Sequence, residues 1–495
     1  MGGGSAGEPV EALCDVEERY CSPRQQPGYG QAGQQDVVIT PDRKEQTQRM
    51  DKEGKVLILT VGQGTVDKLE ETLVTPFRRS FEDGQWQRIV LLPSKETERN
   101  ARLLVEQFPQ FPLEVRALRK PGQEDNTDAC FRHFDDVIRR LLDEGFRAEN
   151  CTADVTRGTK AMTAALAMAA MAHRLGCLRY ITGKRDERGM VIADTESVVN
   201  VAPERALQRL DVNRAVDYLR AGNYRAVEML FPGAPKQLYE GHMKEEIRFL
   251  AWAGQFWGAW DRFDYKSARL HGQRNGMPTA APPATREFLP SDEQLLVLET
   301  LAGEAPPKAR DNAGYCRALA ADLLANAERR LAEGQNEEVL VRLYRVLELL
   351  GQLRLFLHGI DTGAVRADDE RVSSWIASRS LTFQPNERGL IQIPRQLAAD
   401  LLLFLEKQTG SDKNTAIAQK LKDVSWLGEW GPEMRNTSIL IHGFRARSRG
   451  REKELRDLLE KIRALYFDED SGNEGLYQAC RFEFLRVAGD RSQVS

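Results

Sequence analysis

"ADVTRGTKAMTAALAMAAMAHRLG", residues 153–176, sets hydroxyl, glycine and cationic residues directly against a run of alanine and methionine. From Ala161 to Ala172 the side chains are small or strong helix formers, so the stretch predicts a helix that starts near Lys160 and lies close against a sheet. Upstream, "GFRAENCTADVT" reads as a short strand running into a turn. Thr156 to Lys160 is then a strand-to-helix corner whose backbone N–H groups point out of the helix N-terminus, an arrangement that attracts anions. Gly158 permits close backbone approach, Thr156 and Thr159 offer hydroxyl donors, and Lys160 adds positive charge, so a phosphate-bearing ligand fits the set. The competing reading is that Thr156 or Thr159 only caps the helix and Lys160 is solvated.

A second corner has the same order. "GKVLILTVGQGTVDKLEETLVTPFRRSF" shows an apolar strand over Val56–Val61, which includes Thr60, then Gly62, Gln63, Gly64 and Thr65, then an amphipathic helix. Strand, glycine turn and helix in that order form a nucleotide-binding half. The third glycine of the dinucleotide fingerprint and the glycine-lysine-serine of a P-loop are both missing, so neither a nicotinamide cofactor nor ATP hydrolysis is expected. Between the corners the alternation continues: "WQRIVLLPS" is a strand ending at Pro93 and Ser94, "KETERNARLLVEQF" a helix, "LEVRALR" a strand, "NTDACFRHFDDVIRRLLDEG" a helix. "CLRYITG" and "GMVIADTESVVNV" read as closing strands. The expected fold is α/β, a Rossmann-like, mostly parallel sheet with helices on both faces, and ligands bind such sheets at the carboxyl ends of the strands.

"LILTVGQGT" followed by "DVTRGTKAMTAALAMAA" resembles the CRISPR-associated Rossmann-fold (CARF) domain, whose signature is an aspartate-x-threonine-glycine-glycine-threonine-lysine-x-methionine turn. Here that turn is Asp154, Thr156, Arg157, Gly158, Thr159, Lys160 and Met162, with Arg157 where the family usually carries glycine. The resemblance covers roughly residues 54–200. It implies a homodimer that binds a cyclic oligoadenylate, a tetra- or hexa-adenylate ring, across the two-fold axis. Thr60, Gly62, Gly64, Thr65, Ser94, Thr156, Arg157, Gly158, Thr159, Lys160 and Met162 are the ring-site candidates it marks, and the Arg157 guanidinium is placed to reach a phosphate of the ring.

At 495 residues the chain has room for several domains, and its net charge of −4 gives no global attraction to nucleic acid, so an RNA site has to be a local basic patch. Seven cysteines without metal-ligand spacing read as free thiols of a reducing cytoplasm; no metal is expected. No apolar run approaches a membrane span, and no signal peptide is expected. Residues 1–53, rich in glycine, glutamine and proline, read as a disordered extension.

Past residue 200 strand alternation ends, and "ERALQRLDVNRAVDYLRAGNYRAVEMLF" opens an all-helical half, divided here into a helical linker region at 201–330 and an effector domain at 331–495. "EEVLVRLYRVLELLGQLRLFLHG" is an amphipathic helix over about Asn336–His358 with Leu340, Leu343, Leu347, Leu350 and Leu353 on its core stripe. In "PEMRNTSILIHGFRARSRGR", Arg435 and His442 stand two helical turns apart and share a face, with Asn436 one residue round the helix. Histidine moves a proton near neutral pH, arginine holds a charged phosphate, and the ribose 2'-hydroxyl supplies the nucleophile, which suits metal-independent RNA cleavage. The bland alternative is a solvated charged helix face. Arg354 and His358 form a rival same-face pair, read as the polar end of a core helix.

"RNTSILIHG" resembles the arginine-asparagine, spacer and histidine signature of HEPN ribonucleases, and "RLYRVLEL" resembles the helix packed beside it in CARF–HEPN proteins; this resemblance covers roughly residues 331–465. Together the two resemblances imply an ancillary endoribonuclease of type III CRISPR antiviral defence. In it a cyclic oligoadenylate activates cleavage of single-stranded RNA by Arg435 and His442 with Asn436. The basic run Arg445, Arg447, Arg449 and Arg451 just beyond His442 reads as a holder of RNA phosphates or, as the bland alternative, as a solvated loop. Two alternatives stay open: a cyclic-oligoadenylate sensor without nuclease output, and a ring nuclease in which Thr156, Thr159 and Lys160 position the ligand for cleavage.

Overall fold

The computed structural model describes residues 53–184, 195, 197–232, 242–273, 281–303, 312–430, 440 and 450–485. Six strands, β1 Lys55–Val61, β2 Trp86–Pro93, β3 Leu113–Val115, β4 Cys151–Asp154, β5 Cys177–Thr182 and β6 Ser197–Val201, form one sheet in the order β3-β2-β1-β4-β5-β6. All neighbours are parallel except β5 and β6.

The central strand explains the layering. β1 is apolar on both faces: Val56 and Ile58 join a core with α3 Thr127–Asp143 and α4 Lys160–Ala172, while Leu57, Leu59 and Val61 join a second core with α1 Thr75–Glu82 and α2 Glu98–Gln107. A continuous apolar strand can be buried only with helices on both sides, which makes the sheet doubly wound. The chain runs outward from β1 to β3 and then returns to β4 on the other side of β1. This places the carboxyl ends of β1 and β4 side by side at the reversal of strand order, where such sheets bind ligands.

The helix expected after Thr65 is not continuous. A 3-10 turn at Val66–Lys68 and a π turn at Glu70–Val74 precede α1. Pro76 lies in the first turn of α1 and has no N–H to return to the preceding turn, so a regular ladder cannot run through it. The Thr72 hydroxyl stitches the gap, donating to the Lys68 carbonyl at 2.7 Å and accepting from the Thr65 N–H at 2.8 Å.

Beyond β6 the chain is helical: α5 Glu204–Arg220, α6 Tyr224–Leu230, α7 His242–Asp261, α8 Tyr265–Gly272, α9 Asp292–Ala302, α10 Asn312–Ala332, α11 Asn336–Leu357, α12 Glu370–Ser378, α13 Arg395–Thr409, α14 Asp412–Lys422, α15 Glu452–Glu469 and α16 Asn473–Cys480. One two-residue antiparallel pairing, β7 Val365–Arg366 with β8 Leu390–Ile391, interrupts it. A single core extends from Val212 to Phe484. Trp257 meets the rings of Phe482 and Phe484 at 4.5 and 5.0 Å, so the last described residues seal helices that lie more than two hundred positions earlier. The boundary expected at residue 330 falls within α10. Among the described residues no helix is long and apolar enough to cross a membrane.

Candidate functional site

The corners after β1 and β4 touch. A Cβ added to Gly62 would stand 3.4 Å from the Gly158 nitrogen, and one added to Gly158, which has φ of +97°, would stand 3.1 Å from both Cβ and Oγ1 of Thr60. Glycine is required at Gly158 twice over, by its left-handed backbone and by this approach. The buried Thr60 hydroxyl donates to the carbonyl of Arg157, locking strand to corner.

Most of the hydroxyls expected to face a ligand have partners inside the protein. Asp154 is 1% exposed, and a carboxylate so deeply buried needs donors. It takes the Thr156 hydroxyl and the Thr156 N–H, the latter at 3.0 Å, with the Ser80 hydroxyl at 3.4 Å on its other oxygen. The same Thr156 oxygen accepts from the Ile181 N–H at 2.9 Å. Thr159 is the N-cap of α4, accepting from the Met162 N–H at 3.2 Å and donating to the Glu124 carbonyl. The capping alternative describes Thr159, and Thr156 is spent on Asp154 and β5. Met162 is buried in the core. Ser94 is buried too, with its N–H donated to the Thr97 hydroxyl at 2.9 Å and its own hydroxyl 3.1 Å from the same oxygen.

Arg157 is half-buried, its guanidinium 4.7 Å from the centre of the Phe77 ring on α1. It thus lies over the helix and is stabilised there by cation–π attraction. Gly64, Thr65, Gly158 and Lys160 are exposed around the joint, with Gly62 half-exposed. The first-turn amides of α4 have no intrahelical acceptor, and with Lys160 and the helix dipole they make this end of the joint favourable to an anion.

Two residues that sequence reasoning passed over shape the first corner. Asn100 on α2 donates to the carbonyls of Gly62 at 3.1 Å and Gln63 at 2.7 Å, and the Thr97 hydroxyl donates to that of Val61 at 2.9 Å. A threonine and an asparagine in the first turn of a helix beside a glycine loop were the available signal.

In the helical half, Arg435, Asn436 and His442 lie outside the described residues, as do Arg445, Arg447 and Arg449. Arg451 is described; it pairs with Glu454 at the start of α15. The core stripe of α11 is buried throughout, and Arg354, 6% exposed, is buried with it. Its guanidinium is bound to Glu406 on α13 and lies 3.8 Å from Glu469 on α15, while His358 Nε2 is 3.2 Å from Glu406 Oε1. Arg354 and His358 therefore tie three helices together. Burial pushes the thiols of Cys130 and Cys316 up to about 11 and that of Cys151 up to about 12, so these cysteines are protonated and unreactive at neutral pH.

The Rossmann-like sheet domain is followed in the same chain by a helical half in which residues 309–465 match the family model of the Csm6 HEPN domain. Similar solved structures include Enterococcus italicus Csm6 bound to cyclic hexa-2'-fluoro-hexa-dAMP, at 13% identity over 87% of this chain and 100% of that one with a TM-score of 0.48. Another is Can2 from Sulfobacillus thermosulfidooxidans in complex with cyclic tetra-adenylate, at 14% identity over 44% of this chain and 68% of that one with a TM-score of 0.21. No curated protein matches the chain.

Proposed function

We propose that the chain is a cyclic-oligoadenylate-activated, metal-independent endoribonuclease of type III CRISPR defence that works as a homodimer in the cytoplasm. The observation that carries the proposal is a pairing within one chain. The match to the Csm6 HEPN domain spans Arg435, Asn436 and His442, and it follows a sheet whose two glycine corners meet at the strand-order reversal. On this reading the amides of the joint, with Lys160 and Thr65, receive phosphates of a tetra- or hexa-adenylate ring shared between two protomers. Thr60, Thr156, Thr159, Ser94 and Met162 hold the corner in shape. Gly62, Gly64 and Gly158 let the ring approach the backbone, and Arg157 either stays over Phe77 or swings to a ring phosphate.

Ring binding shifts the dimer toward a state in which Arg435 and His442 of both protomers surround single-stranded RNA. The 2'-hydroxyl attacks its own phosphate, His442 handles the proton, and Arg435 stabilises the charge that accumulates on the phosphoryl oxygens, with Asn436 orienting. The products are a 2',3'-cyclic phosphate and a 5'-hydroxyl. The deciding experiment is incubation with labelled single-stranded RNA and each ring in turn, chelator present. Cleavage that appears only with a ring, and leaves those ends, is the expected result. Ring uptake without cleavage would transfer the chain to the sensor class, and breakdown of the ring itself to the ring nucleases.

A further inference from the structure

The helix α4 begins at the candidate ligand joint and ends in a contact that joins the two halves of the protein. Its thirteen residues span about 20 Å. At its far end the chain closes in the pattern of a left-handed cap: the Leu175 N–H returns to the Ala170 carbonyl at 2.9 Å, and Arg174 between them has φ of +53°. That position is normally glycine, because a Cβ is strained there. Arginine occupies it instead, and its side chain is used. Its terminal NH2 nitrogen donates to both carboxylate oxygens of Asp211 on α5, each at 3.1 Å; Asp211 is largely withdrawn from solvent and is also faced by Arg214 of its own helix at 3.5 Å, while the Arg174 side chain is exposed. The preceding residue reaches the other way, His173 Nε2 lying 2.8 Å from Asp135 on α3. Adjacent residues thus fasten the end of α4 to the sheet domain on one side and to the first helix of the helical half on the other.

A non-glycine residue kept in left-handed conformation, with its side chain spent on one contact, is strain retained for that contact. The geometry points to Arg174 and Asp211 as a strut that carries ring occupancy at the Gly62 and Gly158 joint into the helical half. An anion drawn to the N-terminus of α4 displaces the helix, and the arginine–carboxylate pair moves α5 with it. The inference rests on the ligand reading above but not on the nuclease reading.

The test uses the full chain with cyclic tetra-adenylate and cyclic hexa-adenylate, hydrogen exchange of the α5 amides as readout, and calorimetry on the same samples. Arg174→Gly removes the strut without disturbing the cap, since glycine is at ease there, so its thermal unfolding is no lower than that of the parent. In the parent, a ring is expected to change α5 exchange by roughly fivefold or more, the lower end of ordinary coupling between sites. In Arg174→Gly and Asp211→Asn that change is lost while the ring still binds. Arg174→Asp with Asp211→Arg restores it, aspartate being tolerated in left-handed backbone. An Arg174→Gly chain whose α5 responds like the parent overturns the strut. So does a parent that takes up a ring with α5 unmoved, which leaves the ligand reading standing. A parent that takes up neither ring overturns the ligand reading and the strut with it.

Discussion

Gly158→Ala is the most direct perturbation of the joint. Alanine there keeps a backbone φ of +97°, which costs about 1–2 kcal/mol, and its Cβ stands 3.1 Å from Thr60 and 3.3 Å from the Met162 Cβ. Neither neighbour can give way, because both are 1% exposed and Thr60 belongs to the central strand. Overpacking of that kind adds about 1–3 kcal/mol, so a loss of about 3 kcal/mol is expected. In a domain of this size that lowers Tm by about 6–12 °C. If the backbone instead escapes by rotating Gly158, the amides at the start of α4 turn away from an incoming phosphate. One charge-assisted hydrogen bond is worth about 1.5–3 kcal/mol, so ring affinity then falls about ten- to a hundredfold. Gly122→Ala is the control: its φ is +78° with nothing within 4 Å of the added Cβ, so it carries the backbone strain alone and leaves ring affinity intact. Thermal unfolding and calorimetry on the three chains give the comparison. A Gly158→Ala protein with parental Tm and parental ring affinity would refute the closeness of the two corners.

His442→Ala and Arg435→Ala should each reduce ring-dependent RNA cleavage by at least about a hundredfold, with ring binding and dimer mass unchanged; gel-resolved cleavage and light scattering check both. Arg354→Ala leaves Glu406 buried without its cation, and the helical half should lose about 3–5 kcal/mol, read by denaturant unfolding, whatever happens at the catalytic residues. Asp400 supplies a pH test. Burial works against its charge, but Lys422, Trp375 and Arg379 outweigh it and hold the carboxyl at about 2, against an ordinary 3.8. Because the folded value is the lower one, this stabilisation of about 2 kcal/mol is full above about pH 5 and fades as pH falls through 2. Asp400→Asn should therefore be less stable than the parent at pH 7, with the gap narrowing in urea titrations as the pH falls from about 5 to about 2.

The sheet was legible in the sequence because burial on both faces leaves a signature in the strand itself: Val56–Val61 is apolar at nearly every position. α4 was legible from its composition. What the hydroxyls of the joint would do was not. Thr156 looks like a ligand donor until the buried Asp154 claims its hydrogen and Ile181, twenty-five residues on, claims its lone pair. Arg354 reads as a polar helix end because Glu406, its partner, is fifty-two residues away. The shared core of α5 to α9 with Phe482 and Phe484 leaves no local trace at all, since each aromatic is ordinary where it stands and only the tertiary fold brings them together.

That shared core sets an order of events during synthesis. The sheet domain has all its described strands once Val201 has emerged, and it can fold while the rest of the chain is still being made. The helical half cannot close until Phe482 and Phe484 arrive to cover Trp257 and Trp260. A nascent or prematurely ended chain therefore carries a folded sheet domain beside an unsealed helical half.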